Sequence, residues 1–572
     1  MPDFLSALEA QRTRLLQEFL GLGDLRPGSI TASRRLCGKP TCHCARPNDP
    51  GHDPQFRLTR KVKGKTVNES FPSPAAMRKA QQEVAEFHRL QKLTDELIVL
   101  NQKICELRRE QEPGGWTVQE KKTAAALHQE VSREVNAWLT RIFAERRRTG
   151  QTDLEAVEMG LRATLHQVGA VALQQLLHYE EPTLDQRTRP CPCGQQAHYL
   201  ELRAKRLLSV LGEVELSRPY YLCKQCGEGQ FPVDQQLDVE QTKNTPGVRP
   251  MLAWVGHQTA FQRGKEQMKI LAGLEVTTKA VERTAEAIGE DILQREQEEI
   301  ARALQLDLPE MMGPPIPVLY VEMDGTGVPM VKKETADRPG KTAGQSAHTR
   351  EAKLGCVFTQ STWDEEGYAI RDPDSTTYTG AIECAETFGK RIYWEAWKRG
   401  WSRARLKVVL GDGAEWIWNL ADLQFPGAIQ IVDLYHAREH LWKLARALHP
   451  NDQIQQKRWM MYHQNRLDKG RIEKLVRSLR SLEVRDPELR EAIRIEANYF
   501  GRNAARMRYP KFRQQHLFVG SGVIEAGCKT IIGSRTKQSG MFWTVRGANA
   551  IITLRCCQLN SRFEDYWEAR RA

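Results

Sequence analysis

The spacing of apolar residues changes along the chain and predicts a largely helical first half followed by a mixed second half. Helical spacing dominates much of residues 74–310, and the Pro- and Gly-rich string PEMMGPPIP (309–317) ends that region. Beyond it, short β-rich segments alternate with helical ones such as residues 381–398. The β-rich segments are residues 318–323, 355–359, 407–410 and 429–432. This alternation predicts an α/β domain over residues 311–563, with an all-helical, highly charged insertion at about 436–500.

Five smaller segments are expected before that domain. They are a basic cysteine-bearing module (1–73), a coiled-coil-like helix (74–112), a helical region (113–185), a zinc-ribbon-like module (186–240) and a second helical region (241–310). In the coiled-coil-like helix, apolar residues recur at steps of three and four, at Leu90, Leu93, Leu97, Leu100, Ile104 and Leu107. This spacing is typical of a dimer zipper and equally of a helix packed on its own domain. The string EPGG at residues 112–115 is expected to end the helix.

Within the second helical region, residues 267–289 resemble a helix-turn-helix. Gly273 falls near the turn and Thr277 is placed to cap the second helix, which would direct Lys279 and Arg283 at DNA. Any helical hairpin produces a similar pattern, so the alternative is a purely structural pair of helices.

Composition excludes several classes of protein and favours a polyanionic partner. The 572 residues are 40% hydrophobic and 27% charged, which is typical of a folded globular protein. No apolar run reaches the ~18 residues of a membrane helix, and the N-terminus does not resemble a signal peptide, so a cytoplasmic location and no membrane partner are expected. The net charge is +12, yet residues 441–572 alone hold 26 Lys and Arg against 12 Asp and Glu. Basic residues concentrated in this way indicate contact with nucleic acid.

Three carboxylates stand out as candidate catalysts. Asp324 is expected to end the apolar strand VLYVEM, and Asp412 is expected to end KVVLG; glycines follow both. Glu525 is the one acidic residue between residues 501 and 563, a segment with eleven Lys and Arg. Taken singly, each Asp also fits a turn or a helix cap. Together the three offer oxygen ligands suited to Mg²⁺ or Mn²⁺, which can drive in-line phosphodiester displacement.

Four strings give these residues a family context: VEMDGTGVPM, GDGAEWIW, IVDLYHAREHL and GSGVIEAGCKTIIGSRTKQSGMFW. They resemble the ISKra-type family of bacterial insertion-sequence transposases over roughly residues 190–560. The resemblance implies a ribonuclease-H-like domain with Asp324, Asp412 and Glu525 as its catalytic DDE triad and a helical insertion before the Glu. It also implies double-stranded DNA as the partner, at the transposon ends and the target, and a homo-oligomer on paired ends.

The same resemblance draws attention to Asp433 and His436, which are similar to a D-x-x-H element of related transposases. His436 would either organise the site or be a satisfied structural histidine, and His440 is expected to be structural. Basic residues after the Glu are candidate phosphate contacts, namely Lys529, Arg535, Lys537, Arg546 and Arg555. Trp416 and Trp418 fit either base stacking or the core.

Seven of the thirteen cysteines fall in two clusters, which favours metal sites over a disulfide framework. Cys191, Cys193, Cys223 and Cys226 form C-x-C and C-x-x-C pairs that predict a structural Zn²⁺ site, with His198 as an alternative ligand and redox chemistry as an alternative role. Cys37, Cys42 and Cys44, with His43 or His52, form a candidate second zinc site; the alternative is a solvated loop.

Two rivals to a transposase are compatible with these features. One is a metal-dependent endonuclease on the same fold, which would cut DNA without joining it. The other is a non-catalytic DNA-binding protein derived from a transposase.

Overall fold

The structure is a computed structural model that describes residues 2–34, 37, 39, 41–42, 44, 46, 52, 55–62, 65–71, 73–107, 118–149, 153–305, 312–336, 338–340 and 347–571. The chain divides into two compact units, Met1–Ala124 and Ala125–Ala572.

The first unit contains a pair of helices and a three-stranded antiparallel sheet. Its elements are α1 (Pro2–Leu20), β1 (Ser29–Ser33), β2 (Gln55–Val62), β3 (Lys65–Ser70) and α2 (Pro74–Leu107). Leu93, Leu100 and Ile104 of α2 are at most 5% exposed and pack with Leu8 and Leu15 of α1. The leucine pattern therefore belongs to a helix packed within its own domain. The break expected at residues 112–115 lies outside the described residues.

Helices and a second antiparallel sheet occupy residues 118–305. Their elements are α3 (Val118–Thr149), α4 (Leu154–Leu176), β4 (Thr188–Pro190), β5 (Gln196–Ser209), β6 (Gly212–Leu222), β7 (Gly229–Gln230), α5 (Pro232–Gln236), α6 (Arg249–Gln258), α7 (Phe261–Gln267) and α8 (Thr278–Leu304). The strands pair in the order β4-β5-β6-β7. No helix of the described chain is long and apolar enough to cross a membrane.

Helices α7 and α8 form the helical pair expected at residues 267–289. A π-helical turn (Met268–Ala272) extends α7, and Gly273 follows with a φ of 69°, a left-handed conformation that glycine adopts readily. The Thr277 side chain accepts a 3.0 Å hydrogen bond from the Ala280 N–H and so caps α8. Lys279 and Arg283 are exposed, and Lys279 pairs with Glu282.

A five-stranded mixed sheet with helices around it forms the rest of the second unit. Its strands are β8 (Ile316–Pro329), β9 (Thr349–Gln360), β12 (Thr377–Ala381), β13 (Ala404–Gly411) and β14 (Ile429–Val432), in the order β12-β9-β8-β13-β14; the short hairpin β10 (Thr362–Trp363) and β11 (Ala369–Ile370) stands apart. β8 and β9 are antiparallel, as are β9 and β12, while β8, β13 and β14 are mutually parallel. The predicted mixture of strands and helices is confirmed.

One predicted strand end is wrong. β8 does not end at Asp324 but continues to Pro329, because β9 keeps pairing with it and places Leu354 opposite Asp324. Only the parallel pairing with β13 stops at Met323. The end of the apolar run therefore marks the point where β13 stops pairing with β8, while β9 continues to pair with it.

Eleven helices accompany this sheet in the described chain. They are α9 (Ala385–Lys398), α10 (Glu415–Gln424), α11 (Leu434–Leu448), α12 (Gln453–Asp468), α13 (Ile472–Arg480), α14 (Pro487–Arg502), α15 (Tyr509–Gln514), α16 (Gly522–Gly527), α17 (Ser534–Thr536), α18 (Val545–Leu559) and α19 (Phe563–Arg571). Helices α11–α14 lie between β14 and α16, in the segment where the sequence places a helical insertion. Fully buried apolar side chains of β8, β13 and β14 form the centre of the core.

Candidate active site and metal centres

The parallel ladders of β8, β13 and β14 end at one level and leave a carboxylate at the end of each. Met323 is in register with Gly411, and Gly411 is in register with Val432. The next residues along the chain are Asp324, Asp412 and Asp433. In open α/β sheets, ligands and catalytic groups lie at the carboxyl ends of parallel strands. The topology therefore brings three acids from distant parts of the sequence to one edge.

Asp324 and Asp412 interact electrostatically across this edge. The Asp324 carboxylate accepts a 2.7 Å hydrogen bond from the Gly325 N–H, and the Asp412 carboxylate accepts one of 2.8 Å from the Ala414 N–H. Burial raises the pKa of Asp324, and repulsion from Asp412 raises it further, while a hydrogen bond with the Cys528 thiol acts in the opposite sense. Two acids that repel each other in this way are a candidate site for a cation.

Asp433 is fully buried, and both of its carboxylate oxygens bind main-chain groups. One oxygen accepts a 2.5 Å hydrogen bond from the His436 N–H and caps α11; the other accepts a hydrogen bond from the Ser521 N–H. The Leu434 N–H also donates to the Val519 carbonyl at 2.9 Å. Asp433 therefore fixes the chain that leads into α16.

Glu525 lies exposed on α16, and a buried acid that sequence reasoning missed holds this helix against the sheet. The side chain of Glu322 is completely buried, and its carboxylate accepts a 2.9 Å hydrogen bond from the Ile524 N–H. Burial raises the pKa of Glu322 to about 8, with repulsion from Asp433 and Glu525 adding to the rise. Glu322 stands two residues before Asp324 in an otherwise apolar run, and that position was the available signal.

Hydrogen bonds and one pair of stacked rings link the helical insertion to the same edge. His436 and His440 approach at 3.3 Å through their Nε2 atoms, and His440 Nδ1 lies 2.6 Å from the buried carboxylate of Glu496. The His440 ring stacks on Tyr499 at a centroid distance of 4.0 Å, and the Tyr499 hydroxyl donates to the Asp412 carbonyl at 3.1 Å. His436 is close enough to Asp324 to lower its pKa slightly by charge. His440, expected to be structural, contacts His436, Glu496 and Tyr499.

Two of the predicted DNA-contacting arginines are buried, and that prediction is corrected. Arg535 has no exposed surface; its guanidinium donates to the Gly256 carbonyl at 2.9 and 3.1 Å and lies over the rings of Phe261 and Trp543. Arg555 is 7% exposed and donates to two main-chain carbonyls. Both guanidinium groups bind main-chain carbonyls and stabilise the packing around α6.

The other three predicted contacts remain available to solvent. Lys529 is exposed, and Lys537 donates a hydrogen bond to the Thr326 hydroxyl, two residues beyond Asp324. Arg546 is exposed and forms a bidentate ion pair with Glu290. Lys537 is thus the basic residue of this set that the structure brings to the edge of Asp324.

The two tryptophans after Asp412 pack into the protein. Trp418 is 4% exposed with the Arg506 guanidinium over its ring, and Trp416 packs on the core with Lys353 over its ring. The core interpretation holds for this pair.

The four cysteines of the ribbon converge as the sequence predicts. Sulfur–sulfur distances are 3.5 Å between Cys191 and Cys226 and 3.7 Å between Cys193 and Cys223, and all four Sγ atoms lie within 4.8 Å of one another. Each pair sits on a tight turn closed by a glycine of positive φ, Gly194 or Gly227. A main-chain hydrogen bond from Cys226 lowers the pKa of Cys223 to about 7. His198 is not part of this group.

The N-terminal cysteines form a second group, with His52 as the fourth member. Cys37 Sγ lies 3.5 Å from Cys44 Sγ, and Cys42 Sγ lies 3.3 Å from His52 Nε2. The hydrogen bond with His52 is the main reason that the pKa of Cys37 falls to about 6. His43, the other ligand considered, lies outside the described residues. Both cysteine groups could hold a metal ion such as zinc.

The three carboxylates do not form a third group of this kind. Within the described part of the chain, the Cys191 and Cys37 groups are the ones in which three or more ligand atoms lie within 4.8 Å of one another. Asp324 and Asp412 repel each other electrostatically, and α16, which carries Glu525, is hydrogen-bonded to the strand of Asp324. The carboxylate oxygens of the three residues are nevertheless not all within 4.8 Å of one another.

Comparisons with known proteins add little to this geometry. Residues 5–77 match the family model described as "Domain of unknown function (DUF6788)", a segment that includes the Cys37 group. A search of curated proteins finds no match. Among solved structures, the Drosophila P element transposase strand transfer complex is 10% identical, with 59% of this chain and 83% of that chain covered and a TM-score of 0.19. A match with so low a TM-score does not define the fold of this chain.

Proposed function

We propose that the chain is a DNA transposase whose ribonuclease-H-like domain carries a DDE triad of Asp324, Asp412 and Glu525. The observation that carries the proposal is the register of β8 and β13, in which Met323 pairs with Gly411, and Asp324 and Asp412 are the residues that follow this pair. The Glu322–Ile524 hydrogen bond supports Glu525 as the third member, because it ties α16 to the same strand as Asp324. The mixed sheet, with three antiparallel strands followed by two parallel ones, is compatible with a ribonuclease-H-like domain.

Mg²⁺ or Mn²⁺ is the proposed cofactor of this triad. The donor atoms fit, since carboxylate oxygens are the ligands that these ions prefer, and repulsion between Asp324 and Asp412 is the kind that a cation relieves. When bound, such ions polarise phosphodiester oxygens and favour attack by water or a 3′-hydroxyl. Asp324, Asp412 and Glu525 would hold them.

The surrounding residues would position DNA and the acids themselves. Lys537, beside Thr326, would neutralise a phosphate next to the triad, and Lys529 would do the same one turn beyond Glu525. The Cys528 thiol, which is hydrogen-bonded to Asp324, would hold that carboxylate in place. The His436–His440–Glu496 chain would fix His436 next to Asp324.

The remaining modules would bind the ends of the element. Lys279 and Arg283 on α8 would face DNA as in a helix-turn-helix, and the two cysteine groups would hold structural Zn²⁺. We further propose that the active form is a homo-oligomer on paired ends. Neither cysteine group takes part in the reaction in this account.

Strand transfer is the decisive test of the activity. Purified protein should join a duplex that carries the element's end and a free 3′-hydroxyl to a supercoiled plasmid when Mg²⁺ is present. Cleavage without joining would support a metal-dependent endonuclease instead. Binding with neither reaction would support a non-catalytic DNA-binding protein.

A further inference from the structure

The helical insertion carries a basic groove that the triad does not use. It lies between α13 and α14, has a volume of about 820 Å³, and four arginines line it: Arg477 and Arg480 from α13, and Arg494 and Arg502 from α14. All four side chains are exposed. Small-molecule sites of this size are mostly apolar, so a lining of this charge favours a polyanion.

Three of these guanidinium groups have no acidic partner. Within the described chain, no carboxylate lies within 4 Å of Arg477, Arg480 or Arg502; Arg480 contacts the Asn498 side chain at 3.3 Å. The acid that lines the groove, Glu473, is already bound by Arg508 in a bidentate pair. Arg494 pairs with Glu491. The groove therefore keeps most of its positive charge, because three of its four arginines form no ion pair with a described carboxylate.

The length of the groove fits a polymer better than a single anion. Arg494 and Arg502 are eight residues apart on α14, which corresponds to about 12 Å along the helix. At ~3.4 Å of rise per nucleotide, this distance spans roughly three to four phosphates of one strand. Gly501 adds no side chain, and a Cβ there would meet no atom within 4 Å, so the groove stays open at that point.

We propose that this groove, Arg477, Arg480, Arg494 and Arg502, binds the phosphate backbone of DNA outside the cleavage site. Helix α14 contributes both to the groove and to the contacts that reach Asp412. Its Glu496 and Tyr499 contact His440 and Asp412. At about 100° per residue, Arg494 lies roughly 140–160° from these two residues around the helix axis, and Arg502 lies about 120° from Glu496 and about 60° from Tyr499. The triad acids are not among the residues that line the groove, so DNA bound there lies outside the cleavage site. The inference rests on the proposed function, because it takes DNA as the partner.

The test measures how the affinity of the full-length protein for DNA depends on salt, without divalent metal. The probe is a fluorescein-labelled 40-base-pair duplex followed by anisotropy at several NaCl concentrations. The variant is the triple substitution Arg477→Ala, Arg480→Ala and Arg502→Ala. The matched control removes three basic residues outside the groove, by Arg302→Ala, Lys390→Ala and Arg405→Ala.

The groove variant should lose affinity 10-fold or more at 0.1 M NaCl, and its log–log salt slope should be shallower by about 2.7, or ~0.9 per phosphate contact. The control variant should keep the wild-type slope to within about 0.5. Turnover at saturating DNA should be unchanged in both variants, since the groove does not contact the triad. A thermal melt for each variant confirms that both remain folded.

Two results would overturn the inference. A groove variant with the same slope as the control would show that the arginines do not touch the backbone. Micromolar binding of a nucleoside triphosphate that the groove variant loses, with the DNA slope unchanged, would assign the groove to a small anion. Failure of the proposed function gives a different result, because the wild-type protein would then show no metal-dependent DNA reaction at all.

Discussion

The main-chain N–H of Ile524 donates a 2.9 Å hydrogen bond to the buried carboxylate of Glu322, and through this contact α16 is fixed to β8. The two residues are 202 positions apart in the chain. Each neighbours a proposed catalytic acid: Glu322 precedes Asp324 by two residues, and Ile524 directly precedes Glu525. The bond therefore sets how close the third acid comes to the first.

Two substitutions of Glu322 should separate loss of this hydrogen bond from loss of the carboxyl group itself. Glu322→Gln keeps an oxygen that can accept from Ile524, so both stability and cleavage should stay near wild type. Glu322→Ala leaves a buried N–H unpaired, which should cost about 1–3 kcal/mol in the free energy of unfolding and reduce cleavage. Urea denaturation and a cleavage assay measure the two effects. Equal losses of stability and cleavage in Glu322→Gln and Glu322→Ala would show that the hydrogen bond does not position α16.

Much of the sheet and its acids could be anticipated from the sequence. The apolar runs at 318–323, 355–359, 407–410 and 429–432 all lie in strands of the sheet, because a buried strand needs a continuous apolar run. The cysteine spacing also predicted which ribbon thiols converge. These features are local, so they can be recognised without knowing which residues meet in space.

Other features depend on contacts that a sequence does not display. Arg535 sits in a basic segment that predicts DNA contact, yet α6 and two aromatic rings enclose it. β8 continues past Asp324, its expected end, because β9 pairs with it as far as Pro329. The sequence leaves His43 and His52 as alternative ligands of the N-terminal group, and the fold brings His52 to Cys42. In each case a partner distant in sequence decides the outcome.

Substitution by alanine should lower stability at Arg535 and weaken DNA binding or cleavage at Lys537. Arg535→Ala removes a buried guanidinium that stacks on two rings, and we expect a loss of about 2–4 kcal/mol in the free energy of unfolding. Lys537→Ala should leave stability within about 0.5 kcal/mol and weaken DNA binding or cleavage. Urea denaturation and DNA anisotropy distinguish them. Destabilisation by Lys537→Ala would contradict an exposed functional role for that residue.

Metal content should identify the ligands of both cysteine groups. Elemental analysis of the purified protein should give two zinc ions per chain. Cys223→Ser and His52→Ala should each remove one, because a structural Zn²⁺ site needs all four ligands. His198→Ala is the matched control for His52→Ala and should keep both ions. One ion in the wild-type protein, unaffected by His52→Ala, would leave the N-terminal group without metal.

The stability of the second unit should fall in mild acid because of His257. This side chain is fully buried with no partner for either ring nitrogen among the described residues, and burial lowers its pKa to about 3. The unfolded chain takes up a proton below about pH 6.5 that the folded chain rejects, so stability is lost as the pH falls from about 6.5 toward 3. The expected loss is about 2 kcal/mol between pH 7 and pH 5.

His257→Phe should remove that part of the pH dependence. Urea denaturation of the wild type and the variant at pH 7 and pH 5 measures it, and the difference between the two proteins isolates this residue from other titrating groups. The same drop in both proteins would show that His257 is not the source.

The most direct test of the DDE assignment compares Mg²⁺-dependent cleavage of end-bearing DNA by Asp324→Ala, Asp412→Ala and Glu525→Ala. Asp422→Ala, an exposed acid of the same domain, is the control. Each triad variant should lose cleavage roughly 100-fold or more while binding the same DNA, and the control should cleave as the wild type does. Wild-type cleavage by any one of the three variants would contradict the assignment.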